Sequence, residues 1–131
     1  MIITNTAIID SASKSGNEGA IYCLNVKVTN STSSNNAADR IGGAIPVYAV
    51  ENIATTNSTF SNNTASTSNG GAMYSGNDIS VIEFMDSTFI HNEAVSGGVA
   101  HVENSSLSIT NSVCNDNEAS EDGGGARHDI L

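Results

Sequence analysis

Asn57-Ser58-Thr59-Phe60-Ser61-Asn62-Asn63-Thr64-Ala65 is followed, four residues later, by Gly70-Gly71-Ala72-Met73-Tyr74. Both phrases return. Asp86-Ser87-Thr88-Phe89-Ile90-His91-Asn92-Glu93-Ala94 precedes Gly97-Gly98-Val99, and Asn111-Ser112-Val113-Cys114-Asn115-Asp116-Asn117-Glu118-Ala119 precedes Gly124-Gly125-Ala126. Nearer the N-terminus, Asn30-Ser31-Thr32-Ser33-Ser34-Asn35-Asn36-Ala37-Ala38 precedes Gly42-Gly43-Ala44-Ile45. The most degenerate copy is Asn5-Thr6-Ala7-Ile8-Ile9-Asp10-Ser11 with Glu18-Gly19-Ala20. The glycine phrases are spaced 24, 28, 27 and 27 residues apart. Short alternating segments lie upstream of three of the copies: Val26-Lys27-Val28, Ile82-Glu83-Phe84 and Leu107-Ser108-Ile109. Alternation with period two is the signature of a strand with one face in and one face out. A repeat of 20 to 50 residues built on such strands is a solenoid. The sequence therefore predicts one all-β domain over residues 1–131, a parallel β-helix of about five coils, with repeats at 1–22, 23–48, 49–76, 77–102 and 103–131. Parallel crossovers are right-handed, so a right-handed coil is expected.

In such a coil, equivalent residues stack at roughly 4.8 Å and form vertical columns. Ile8, Ser33, Phe60, Phe89 and Cys114 fall in one slot, so Ile8, Phe60, Phe89 and Cys114 are read as an apolar spine. Ser11, Asn36, Asn63, Asn92 and Asn117 fall in another. Stacked amides hydrogen-bond along a column, so Asn36, Asn63, Asn92 and Asn117 are read as an asparagine ladder that satisfies polar groups at a bend. Ser13, Ala38, Ala65, Ala94 and Ala119 form a column of small residues suited to a tight corner. The glycine anchors Gly42, Gly43, Gly70, Gly71, Gly97, Gly98, Gly124 and Gly125 are expected where the backbone needs positive φ or a close approach.

Composition agrees with this architecture and not with a thick core. Apolar residues make up 38% of the chain and aromatics 5%, with no Trp, so stacked small side chains and backbone ladders must carry the fold. Charged residues are only 14%, which separates it from charge-rich disordered chains. The formal net charge of −10 repels nucleic acid and anionic membranes. No stretch approaches the roughly 18 to 20 apolar residues of a membrane span. The start, Met1-Ile2-Ile3-Thr4-Asn5, has neither the basic region nor the apolar run of a signal peptide, so the sequence reads as a processed or excised piece.

The phrases Gly42-Gly43-Ala44-Ile45, Phe60-Ser61-Asn62-Asn63 and Phe89-Ile90-His91-Asn92 resemble the Gly-Gly-Ala-Ile and Phe-x-x-Asn tetrapeptides of the chlamydial polymorphic outer-membrane protein repeat. At repeat level the resemblance spans the whole chain. It implies a secreted, surface-exposed β-helical passenger associated with adhesion, on the cell surface or in the extracellular space. The sequence departs from that family's pattern in lacking a signal peptide and a C-terminal translocating barrel.

The remaining polar residues offer little chemistry. His101 and His128 lie 27 residues apart, in slots that match if the glycine phrases are aligned, and they are read as exposed polar positions. The acidic group Asp116, Glu118, Glu121 and Asp122 fits neither calcium-loop spacing, so no metal site is assigned. Lys14, Lys27, Arg40 and Arg127 are scattered, whereas sugar-cleaving sites need clustered carboxylates and a charge-stabilising group. No catalytic residue and no cofactor is expected. Sequons occur at Asn30, Asn57, Asn62 and Asn104, candidate N-glycosylation acceptors in a eukaryotic secretory setting. Thr4, Thr29, Thr56 and Thr110 share a slot, but Met85 interrupts them and no second threonine column is evident, which argues against an ice-binding face. Cys23 and Cys114 lie too many coils apart for a disulfide.

The reading is a non-catalytic structural or adhesive surface module. Its partners would be copies of itself, stacked head to tail into filaments, and a glycan or host-surface receptor. The alternative is a carbohydrate-binding or carbohydrate-active β-helix.

Overall fold

The computed structural model describes residues 1–13, 26–48, 52–76 and 81–129. Every paired strand is parallel to its neighbour, and the chain winds as a solenoid. The first turn contributes β1 (Ile2–Thr4), β2 (Ala7–Ile9) and β3 (Ala12–Ser13). Four complete turns follow. The second holds β4 (Val26–Thr29), β5 (Thr32–Ser34), β6 (Ala37–Ala38) and β7 (Ile45–Tyr48). The third holds β8 (Asn52–Thr56), β9 (Thr59–Ser61), β10 (Thr64–Asn69) and β11 (Met73–Gly76). The fourth holds β12 (Val81–Met85), β13 (Thr88–Ile90), β14 (Glu93–Ser96) and β15 (Ala100–Glu103). The fifth holds β16 (Ser106–Thr110), β17 (Val113–Asn115), β18 (Glu118–Asp122) and β19 (Ala126–Asp129). Strands in the same position of successive turns form four sheets, three of five strands and one of four. The anchor at Glu18-Gly19-Ala20 and the residue Cys23 lie outside the described residues.

Alternation places the core. In β12, Ile82 and Phe84 are buried while Val81, Glu83 and Met85 are exposed. Strand register turns this into columns: Ile3, Val28, Thr55, Phe84 and Ile109 in the first sheet, and Ile8, Ser33, Phe60, Phe89 and Cys114 in the second; in the fifth turn both columns reach solvent, so Ile109 is exposed and Cys114, read as part of the apolar spine, is exposed and not buried. The rings of Phe60 and Phe89 stack with centroids 5.1 Å apart, and Phe84 lies 4.7 Å from Phe89. Burying a side chain of this size contributes about 1.5–3 kcal/mol, and Phe60, Phe84 and Phe89 are all fully buried. Polar members of these columns are bonded: Thr55 Oγ1 lies 3.4 Å from Ser87 Oγ, and Ser33 Oγ accepts from Asn36 Nδ2 at 2.9 Å.

Left-handed residues build the first three corners, with polar side chains at two of them and glycine at the third. At the first corner Asn5, Asn30, Asn57, Asp86 and Asn111 have φ of 48–51°. At the second, Asp10, Asn35, Asn62, His91 and Asp116 have φ of 49–56°. Asn, Asp and His are the side chains that tolerate this conformation best after glycine. At the third corner glycine itself supplies it: Gly42, Gly70, Gly97 and Gly123 have φ of 61–72°.

The last anchor differs from the sequence reading. The left-handed residue is Gly123, and Gly98 N donates to Gly123 O while Ala100 pairs with Ala126. Gly124 and Gly125 therefore sit level with Gly98 and Val99, one place later than an alignment on Gly-Gly-Ala implies. The run Gly123-Gly124-Gly125 hides the shift, because glycine is compatible with every register there. As a consequence His101 pairs with Arg127, and His128 pairs with Val102, so the two histidines do not share a slot.

Candidate functional site

The second corner is a hydrogen-bonded rod of amides. Asn36, Asn63 and Asn92 are fully buried. Each backbone N–H and each Nδ2 donates to the Oδ1 of the asparagine one turn above. The distances are 3.2 and 3.0 Å for Asn36 to Asn63, 3.1 and 2.9 Å for Asn63 to Asn92, and 3.0 and 2.9 Å for Asn92 to Asn117. Each Nδ2 also donates to the carbonyl of the spine residue one turn below: Ile8, Ser33, Phe60 and Phe89 in order. Ser11 starts the column by donating its N–H to Asn36 Oδ1 at 3.0 Å. A buried amide left without partners costs about 1–3 kcal/mol, so this column commits the corner to its register.

The first corner carries a second ladder that the sequence reading did not assign. Thr6, Ser31, Ser58, Ser87 and Ser112 occupy one slot. The N–H of each donates to the hydroxyl of the next turn, at 3.2, 3.2, 3.3 and 3.1 Å. The serine hydroxyls donate in turn to the carbonyl two residues back, Thr29, Thr56, Met85 and Thr110, at 2.8–2.9 Å. The signal was present as the Asn/Asp-Ser dipeptide, but 30 Ser and Thr in the chain mask a serine column that 17 Asn do not mask for asparagine.

The candidate surface groups fall as follows. Asn30, Asn57 and Asn62 are exposed left-handed corner residues, Asn104 is half-buried, and Asn57 Nδ2 donates to Asn30 Oδ1 at 2.8 Å. Flanking the first corner, Thr4, Thr29, Thr56, Met85 and Thr110 stack on one side. On the other side Ala7, Thr32, Thr59, Thr88 and Val113 stack, so a second threonine column exists after all. It went unseen because its outer members are Ala7 and Val113. The two columns lie on different sheets across a bend and do not make one flat face.

His91, Glu93, Asp116 and Glu118 meet Asn92 around a shallow depression of ≈ 180 Å³ at the second corner. Glu93 and Glu118 are directly in register there. Among the described residues no three His, Cys, Asp or Glu side chains come together as metal ligands. His101 is buried, contrary to the exposure expected of it. His101 is 3% exposed, its ring stacks on Tyr74 with centroids 5.7 Å apart, and its Nε2 lies 3.3 Å from Glu103 Oε1. Tyr74 donates its phenol to the same Glu103 oxygen at 3.2 Å. Both aromatic residues follow glycine anchors on the outer side of the fourth sheet, where alternation alone suggests solvent. They stack on each other and share the Glu103 carboxylate.

These corners make the comparison with known sequences interpretable. Residues 57–75 match the Chlamydia polymorphic membrane protein repeat. The matched segment runs from the first corner of the third turn through β9 and β10 into β11, so the repeat supplies the serine rung, the Phe60 spine position, the Asn63 rung and the Gly70-Gly71 corner in one unit. Proteins built on this repeat are exposed at the outer-membrane surface. No curated protein and no solved structure matches the chain. No helix long and apolar enough to cross a membrane occurs among the described residues.

Proposed function

We propose that the chain is a non-catalytic surface module, a β-helix that holds small, mostly hydroxyl-bearing side chains toward a host-surface receptor or glycan. The observation that supports this most is how the repeat residues are used. The amides of the second corner and the hydroxyls of the first bond up and down the stack, so they build a scaffold and are not held toward a substrate. What faces outward on the first two sheets is mostly small and neutral: Thr29, Ala54, Thr56, Thr32, Thr59 and Ser61, with Lys27 and Glu83 two turns apart on one column. Such a surface suits many weak, spread contacts to polar glycans or proteins.

The test is a binding assay. Beads coated with the purified chain should retain on epithelial cells or on a glycan array above the level of a charge-matched control protein. Equal retention of both contradicts adhesion. The rival reading, a carbohydrate-active β-helix, predicts turnover of acidic polysaccharides that a single carboxylate substitution abolishes.

A further inference from the structure

The outward face of the first sheet is self-complementary, and we propose that it pairs with the same face of a second copy turned end for end. On this face Lys27, Ala54 and Glu83 occupy one column, in register on the second, third and fourth turns. Lys27 and Glu83 are exposed, and Ala54 between them is half-buried. The column therefore carries opposite charges one turn above and one turn below a small neutral residue. The next outward column holds Thr29, Thr56 and Met85 on the same three turns. Val81 and Met85, outward apolar residues of β12, are 42% and 44% exposed.

Consider a two-fold axis between two such faces, parallel to the strands and level with the third turn. It exchanges the second turn of one copy with the fourth turn of the other. Lys27 then meets the partner's Glu83, and Glu83 meets the partner's Lys27. Ala54 and Thr56 face their own copies at the axis, where both are small enough for close approach, and Met85 lies against the partner's Thr29. Packed sheets sit ~10 Å apart, a gap that a lysine and a glutamate side chain bridge together.

Charge selects both the face and the axis. The third sheet carries Glu93, Glu118, Glu121 and Asp122, so that face repels its own copy. The second sheet has no charged residue in its outward columns, so nothing there fixes a register. On the fourth sheet the outward Tyr74 and His101 are buried. With the axis along the coil instead, Lys27 would face Lys27 and Glu83 would face Glu83. In the end-for-end pair Asp86 lies level with the partner's Asn30, so no like charges face each other among the described residues of the second to fourth turns.

The paired face is small. Three strands ~4.8 Å apart, each a few residues long at ~3.3 Å per residue, cover about 200 Å², well under the ~800 Å² per partner of a stable interface. The pair is therefore weak and takes effect where chains are held side by side and local concentration is high, as at a surface. The contact is isologous, so it closes at two copies. It leaves Thr32, Thr59 and Ser61 of the second sheet open to a receptor.

A charge swap read by nuclear magnetic resonance tests the pairing, whether or not the chain binds a receptor. On dilution of the full chain from millimolar to micromolar, the amide resonances of Lys27, Ala54 and Glu83 should move, and those of Glu93 and Glu118 on the third sheet should stay. Lys27→Glu and Glu83→Lys should each weaken the dissociation constant about tenfold, because each sets like charges together at two symmetric places. Glu83→Lys does so although it lowers the overall negative charge that keeps copies apart. Lys27→Glu combined with Glu83→Lys should restore the wild-type constant. Both positions are exposed, so the variants should keep the fold; should one misfold, the wild-type dilution map decides alone. First-sheet resonances that ignore concentration, single reversals that leave the constant unchanged, or a folded double variant that fails to recover would each overturn the proposal.

Discussion

The second and third corners bend the same chain through similar left-handed residues, yet they fail in different ways. At the third corner the constraint is space. A Cβ on Gly71 would meet the Gly98 carbonyl oxygen of the turn above and lie 2.7 Å from Glu93 N, all backbone that cannot step aside. Gly71 itself does not need positive φ; its neighbour Gly70 does, with φ of 72°. At the second corner the constraint is partnership. Asn62 turns the backbone, and Asn63 bonds to the turns above and below. A glycine corner holds turns together by letting them approach, and an asparagine corner does so by filling the gap with shared hydrogen bonds.

The largest effect should follow from crowding the glycine corner. Gly71→Val should cost about 3 kcal/mol or more, since overpacking against fixed backbone forces neighbouring turns apart. Urea unfolding checks this; a loss under ~1 kcal/mol would show that the close approach is not required. By contrast, Gly76 closes β11, and a Cβ there would meet the phenol of Tyr74 and not the backbone of another turn.

Breaking the amide rod comes next. Asn63→Leu removes the acceptor of Asn36 N–H and Nδ2 and the donor to Ser33 O, and should cost about 1–3 kcal/mol. Thermal unfolding unchanged within error would remove the ladder from the account.

The smallest effect belongs to the adjacent residue of the same type. Asn62→Ala leaves the rod intact and asks alanine to hold φ near 53°, at a cost of about 1 kcal/mol. If Asn62→Ala proves worse than Asn63→Leu, backbone conformation and not amide bonding dominates this corner.

These contrasts mark how far the sequence could be read. The parallel coil, the Phe60–Phe89 spine and the asparagine slot were legible because each repeats in one register with an unusual residue. The serine ladder of Ser31, Ser58 and Ser87 was not, because serine is common everywhere in the chain. The register of the last turn was ambiguous because three glycines in a row fit any alignment. The burial of His101 depends on Tyr74, 27 residues away, and on Glu103, contacts between turns that alternation within one strand does not encode. The surface role is harder still to read, because residues on the outer columns are free to vary without disturbing the stack.

Hydrogen exchange resolved at the asparagine column tests the central claim, that successive turns are locked by amides in register. The N–H groups of Asn36, Asn63 and Asn92 should exchange only through global unfolding, all three with the same free energy of opening. Exchange of Asn63 N–H at the rate of an exposed loop amide, in a chain that otherwise melts cooperatively, would contradict the stacked ladder.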